Sequence, residues 1–343
     1  MKVFVEIGAA AATASRRQLR ELIAALEDAG ASGVCVSDHM FMTAGSPRRA
    51  GVSPQCDPLT VLAAVAGISD RLELQTLVAN TAWMHPALLL RHFAQLAVIA
   101  GGDRVTAGLG AGWNSEEFES LGMPLPPVRA RMARFQESLR IARELFDRGF
   151  ANVDGEFVSA RDLPLSPRPT TPPRLLVGGG SDSALTSAGR YADIVDLQGH
   201  PKYGKLVGDV LQKSAIDARR RAQTTVDELA ERMEIVRAAA RDAGRTPESV
   251  TASVQVSYVA FGSRAQIEAA ERELLEKWAH LPARTLADNP FVLLGEPTQI
   301  AEALKERRER FGLSRISIGE RADVAAAPPD PLRLCREVLP LLS

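Results

Sequence analysis

Short β-branched runs alternate along this chain with longer stretches whose apolar residues recur at helical spacing, the pattern of parallel strands joined by helical crossovers. Val3 to Ile7 is the first strand, and Leu19, Leu22, Ile23 and Leu26 mark one face of a helix that closes at Gly30. Gly33 to Val36 is the second strand, with Ser37-Asp38-His39 at its C-terminal end. Asp57 caps a helix that carries Pro58 in its first turn and runs to Gly67. A third strand, Leu72 to Val78, precedes a helix opened by His85-Pro86, and a fourth, Arg104 to Leu109, feeds Gly108-Leu109-Gly110-Ala111-Gly112-Trp113. Met132, Phe135, Leu139, Ala142 and Phe146 then describe a long helix. Arg174 to Val177 is the fifth strand, followed by Gly178-Gly179-Gly180-Ser181 and a helix, and Ile194-Val195 is the sixth. A helix from Val226 to Ala243, a strand at Val250 to Val259, helices around 264–280 and 297–311, a strand at Arg315 to Ile318 and a helix from Pro331 complete the series. Eight strand and helix pairs make a (β/α)8 barrel, an α/β fold. An open doubly wound sheet would place Gly-x-Gly-x-x-Gly after its first strand, and Gly8-Ala9-Ala10-Ala11-Ala12 stands there instead.

Two stretches break the rhythm. Residues 150–173 contain a hairpin-like Asn152 to Phe157 and five prolines between Pro164 and Pro173, and residues 197–224 are polar and glycine-rich with one helix near 205–221. The chain therefore reads as a single barrel domain over residues 1–343 with insertions at these two places. With 45% hydrophobic and 24% charged residues it has the composition of a globular protein with a large core, not of a disordered or collagenous chain. Its 41 basic and 42 acidic residues give a net charge of −1, which provides no global field for nucleic acid or anionic lipid. Cys35, Cys56 and Cys335 are too few and too scattered for a disulfide framework or a thiolate zinc site. No stretch approaches the roughly 20 apolar residues of a membrane span, and the N-terminus runs straight into a strand without a signal sequence. These features point to a cytoplasmic protein.

Barrel active sites are built from the loops that follow the C-terminal strand ends. Asp38-His39 ends the second strand, where a histidine can polarise a carbonyl or move a proton near neutral pH; it reads equally as a structural histidine capping the next loop. His85 and His92 are seven residues apart, too far for an i, i+4 ligand pair, and no metal site is expected. Gly178 to Ser181 lies between strand and helix, where bare amides and the helix dipole favour a phosphate, although a glycine run also serves a tight turn. The Gly108 to Gly112 run lets a flat ligand approach the backbone beside Trp113, and Glu116 and Glu117 follow at a helix start, where carboxylates are favourable on dipole grounds alone.

Together these residues resemble the bacterial luciferase-like superfamily of flavin and deazaflavin oxidoreductases. The resemblance runs over roughly residues 16–319: Val36-Ser37-Asp38-His39, Leu74 to Val78 leading to His85-Pro86-Ala87, Gly102-Asp103-Arg104 before the glycine run with Asn114 and Glu117, Leu121-Gly122, Arg129, and Pro173 leading to Val177 through Gly180 with Ala192-Asp193. The segments Arg232 to Ala240 and Asn289 to Pro297 through Ser314 resemble an actinobacterial branch of coenzyme F420-dependent oxidoreductases.

The resemblance implies a TIM barrel with coenzyme F420, or alternatively FMN, lying across its C-terminal mouth. It implies a bulge after the third strand, often containing a non-prolyl cis peptide that supports the ring, at Leu77-Val78. It places Asp38 and His39 opposite the reactive ring, and Gly110, Ala111, Gly112 and Trp113 along it. Gly178, Gly179, Gly180 and Ser181 match the phosphate turn, with Lys202 as an added contact. Sugar-phosphate dehydrogenases of the family carry an acid where this chain has Trp113, and another in the loop after strand one, where it has Ala9 to Ala12. The departure speaks against alcohol oxidation with a second catalytic acid and for a reductase or monooxygenase taking a small, fairly apolar substrate at Met40, Phe41, Met42, Trp83 and Trp113. A cofactor-binding barrel without turnover is the third reading, and family members are commonly homodimers.

Overall fold

A computed structural model describes residues 1–43, 52–53, 55–206, 210–278, 286–319 and 330–342. Eight strands form the barrel: β1 (Lys2–Glu6), β2 (Gly33–Val36), β3 (Glu73–Thr76), β4 (Val105–Gly110), β5 (Arg174–Gly179), β6 (Ile194–Leu197), β7 (Thr251–Val256) and β8 (Leu313–Ile318). Every neighbouring pair is parallel, and the sheet closes on both sides of its seam, with Lys2 opposite Arg315 across β1 and β8 and Arg174 opposite Thr106 across β5 and β4. The crossover helices are α1 (Arg16–Asp28), α2 (Pro58–Ala66), α3 (Pro86–Ala100), α4 (Val128–Arg148), α5 (Asp182–Tyr191), α6 (Val226–Asp242), α7 (Pro297–Phe311) and α8 (Pro331–Glu337).

The expected alternation is met by local chemistry. Asp57 accepts Thr60 N at 2.6 Å as the cap of α2, which has Pro58 at its first position, and His85 caps α3 in the same way ahead of Pro86. Outward strand residues such as Val3, Val5, Val34, Val36 and Leu74 join the apolar faces of the helices in one core cluster. The inward positions are different. Arg315 of β8 is buried, stacks 4.9 Å from the centre of the Phe4 ring of β1, and donates to Gln75 Oε1 of β3 at 2.8 Å. Strands β8 and β3 are not neighbours in the sheet, so the contact with Gln75 runs through the barrel interior. Burial pushes the Arg315 guanidinium down to about 10.

The ends of β7 and β5 and the strand at Val292–Leu294 differ from the sequence reading, while the two insertions follow it. The run from Val250 to Val259 is not one strand: β7 ends at Val256, and Ser257 N turns out to Phe291 O at 2.9 Å. Tyr258–Ala260 then pairs in parallel with Val292–Leu294, a short strand that sequence periodicity does not mark. Buried Arg307 holds that segment through the Asn289, Pro290 and Val292 carbonyls, a tertiary contact without a local signal. The insertion near 150–173 is an antiparallel hairpin, Phe150–Val153 with Ala160–Pro164, and the helix expected near 205–221 spans Val210–Gln223. Strand β5 continues through Gly179, so the expected turn of three glycines is reduced to Gly180 and Ser181. Part of the 40–56 segment lies outside the described residues.

Close packing of α5 on α6 depends on Gly189, where a Cβ would collide with the Val236 carbonyl and lie 2.7 Å from Ala239 Cβ. Gly189→Ala is expected to lower stability by about 1–3 kcal/mol, the usual cost of an overpacked contact, as read from the midpoint of a denaturant titration.

Candidate functional site

His39 lies three residues beyond the end of β2 at Val36, and Glu117 lies in the first turn of the short helix Ser115–Ser120 after β4. Barrel curvature brings the two together. His39 Nδ1 lies 3.1 Å from Glu117 Oε1 and 3.3 Å from Oε2, and Met40 N donates to the same Oε1 at 2.7 Å. Glu117 is 1% exposed, so the carboxylate is held almost dry and spends its lone pairs on these two donors. Because a carboxylate accepts, Nδ1 carries the hydrogen and Nε2 is the nitrogen left for chemistry. The Trp113 ring meets His39 edge-on, with centroids 5.8 Å apart at 78°.

Glu117 is the residue that sequence reasoning undervalued, noting it for its favourable place at a helix start and as part of the family resemblance but giving it no role in the site. Trp113 stands directly after the strand-four glycines, and the acid that reaches His39 comes four residues later, from the next helix. The signal that could have found it is weak, since Asn114 caps that helix through Glu116 N at 3.2 Å and thereby fixes which way the following turn faces.

Asp38 faces elsewhere than its neighbour. Its Oδ2 accepts Asn80 N at 2.8 Å, tying the end of β2 to Ala79–Asn80, the short extension of β3 that pairs with the end of β4. Burial is the main cause that pushes the Asp38 carboxyl up to about 6, with Asp57 and Glu117 adding negative charge, and Asn80 N–H and His39 opposing.

Leu77-Val78 is a cis peptide, at the position the resemblance marks. The Val78 side chain occupies space that strands β4 and β5 leave open by having glycine: a Cβ at Gly110 would lie 2.6 Å from Val78 Cγ2, and one at Gly178 3.0 Å from Cγ1. Gly110, Val78 and Gly178 thus form a low floor across three strand ends. Around it the backbone is pinned from behind: Thr81 Oγ1 donates to the Gly110 carbonyl at 2.9 Å, Arg131 of α4 to that of Gly112, and Lys213 to that of Trp113 at 3.2 Å. Ala111 lies between these anchors, packed against the core.

On the far side of the floor, Ser181 caps α5 by accepting Ala184 N at 3.2 Å, and the first N–H groups of that helix open beside Gly179 and Gly180. Lys202, expected as an added contact, pairs with Glu228 Oε1 at 2.6 Å and lies over the Tyr203 ring. Deeper in the barrel, Asp196 of β6 is fully buried, accepts Ser253 Oγ at 3.0 Å and also bonds Gln198 Nε2. Burial pushes its carboxyl up to about 6.

The luciferase-like monooxygenase family model matches residues 1–315. The chain belongs to that family. An F420-dependent glucose-6-phosphate dehydrogenase of Beutenbergia cavernae is 36% identical over 170 residues, 49% of this chain and 48% of that protein, so the chain spans about half the length of this curated relative. A protein of the same description from Amycolatopsis mediterranei is 26% identical over 84% of both chains. A solved F420-dependent secondary alcohol dehydrogenase, in complex with an F420-acetone adduct, superposes with a TM-score of 0.70 at 16% identity, covering 100% of this chain and 99% of the other. That likeness supports the barrel fold.

The two raised carboxyls of Asp38 and Asp196 set a pH dependence. Each keeps its proton to about pH 6 in the folded chain but loses it near the ordinary value of 3.8 when unfolded. Between those limits the folded state binds more protons, so stability falls as pH rises, by up to about 1.4 kcal/mol per pH unit for each group. Denaturant titrations across pH 4–6.5 are expected to show this decline, with a shallower slope in Asp196→Asn.

Proposed function

We propose that this chain is a coenzyme F420-dependent oxidoreductase acting on a small, fairly apolar organic substrate. The observation that carries the reading is the pair His39 and Glu117 at the rim of a floor made by Val78 between two glycines. The residues fit a deazaflavin. A planar ring would lie on Leu77 and Val78, along Gly110, Ala111 and Gly112 and beside Trp113; Val78 and Asn80 already occupy the space that a Cβ at Gly110 or Gly112 would need, so these positions must stay glycine. Its phosphate would meet Gly178, Gly179, Gly180 and Ser181 at the N-terminus of α5. The reduced cofactor supplies a hydride from C5 when bound.

The protein's part is orientation and proton handling. Glu117 holds the imidazole in one tautomer and one plane, and His39 Nε2 moves the proton at the substrate heteroatom adjoining the carbon that changes oxidation state. Asp38 acts from behind, fixing the β3 extension that carries Val78 onward to Asn80. Met40, Trp83 and Trp113 supply apolar surface for the substrate, Trp83 leaning on Phe118 at 6.5 Å. The relatives act on a sugar phosphate and on secondary alcohols, according to their descriptions. Trp113, standing where sugar-phosphate dehydrogenases carry an acid, supports a less polar substrate here.

Parallel fluorescence titrations of the purified protein with F420 and FMN test the cofactor. Saturable binding of F420 in preference to FMN is expected, and preference for FMN would move the assignment to oxygen chemistry. His39→Asn keeps a donor toward Glu117, so folding and F420 affinity are expected to change less than about twofold while turnover falls at least roughly tenfold. Unchanged turnover would remove His39 from the mechanism.

A further inference from the structure

Helix α6 lies against α5 through Gly189, and this contact brings Arg232 of α6 to the opposite end of α5, behind its N-terminus. Arg232 is 3% exposed. It donates through Nη2 to the Gly180 carbonyl and through Nη1 to Asp182 Oδ1 at 3.3 Å, while its buried Nε has no hydrogen-bond partner. Asp182 offers little compensation in return, because its side chain is 75% exposed and its charge is screened by water.

We propose that Arg232 is the positioning residue of the anion turn: it fixes the Gly180 carbonyl and sets a buried positive charge behind Ser181, and so governs affinity for the phosphate-bearing part of the cofactor. The inference rests on the reading above that this turn receives a phosphate.

The peptide unit gives the first reason. Carbonyl and N–H of one trans peptide point in opposite directions, so drawing the Gly180 carbonyl onto Arg232 turns the Ser181 N–H away from α6, toward the side where a ligand enters. The second reason is charge. A helix N-terminus carries roughly half a positive charge, and a buried guanidinium adds a full one at the same place. Of the other cations nearby, Lys202 is committed to Glu228, which also accepts Tyr203 Oη at 2.6 Å, and Arg220 donates to the Gly204 carbonyl at 2.7 Å. His200 registers the resulting field: burial first, then Arg232 and Lys202, push its imidazole below the ordinary value against Glu228 and Asp182.

The test compares two ligands that differ at the phosphate. Full-length protein, Arg232→Met and Asp182→Asn are titrated by fluorescence with F420 and with the same deazaflavin alcohol lacking the phosphate-bearing tail. Arg232→Met is expected to weaken F420 binding by at least about tenfold and to leave the phosphate-free compound within about twofold. Asp182→Asn removes only a screened carboxylate and leaves Arg232 in place, so it is expected to keep both ligands within about twofold of the native affinity. Equal weakening of both ligands by Arg232→Met, or loss of F420 affinity in Asp182→Asn as large as in Arg232→Met, overturns the proposal. If the native chain prefers FMN, the same comparison with FMN and riboflavin decides the role of Arg232 while the F420 reading fails separately. Binding of no phosphate-bearing ligand by the native chain overturns both.

Discussion

The β4 and β5 ladder, with Arg174 facing Thr106, is the constraint on which everything else depends. Without it the eight strands would be an open sheet with two exposed edges, and the ends of β2, β4 and β5 would splay apart. Closure satisfies those edges and gathers all the C-terminal strand ends on one rim. That geometry sets His39 beside Glu117 across 78 residues of sequence and places Val78 between Gly110 and Gly178.

Closure also explains the unusual filling of the barrel. Apolar branched residues usually dominate such interiors. Here Arg315, Gln75, Thr106, Ser253 and Ser317 are buried, with Arg315 resting on Phe4. The guanidinium bridges strands that share no ladder, so its hydrogen bonds tie opposite walls of the barrel. Higher up, Asp196 and Ser253 continue this polar interior toward the rim, where uncharged carboxyls are favoured by burial.

The supporting contacts of the candidate site follow one design. The backbone forming its floor is anchored from outside the barrel by side chains on the crossover helices: Arg131 on the Gly112 carbonyl, Arg134 on those of Thr81 and Met84, and Arg232 on that of Gly180. Each anchor fixes a loop carbonyl outward and leaves the facing side of the loop to a ligand. A site held this way is rigid before any ligand arrives, which lowers the entropic cost of orienting one.

Strand and helix order, the caps at Asp57 and His85, and the place of His39 and of the glycine runs were legible in the sequence, because periodicity and capping are local properties that a few consecutive residues encode. Gly178 was read as the start of a phosphate turn between strand and helix, and the Gly108 to Gly112 run as backbone open to a flat ligand. Gly178 instead lies within β5, where it makes room for Val78, and no local pattern distinguishes those uses. The exit of the chain at Ser257, the partner of His39 and the contact of Arg232 with Gly180 were decided by tertiary structure. Each joins residues tens of positions apart, and their meeting depends on barrel curvature and helix packing, which leave no trace in the spacing of residues along the chain.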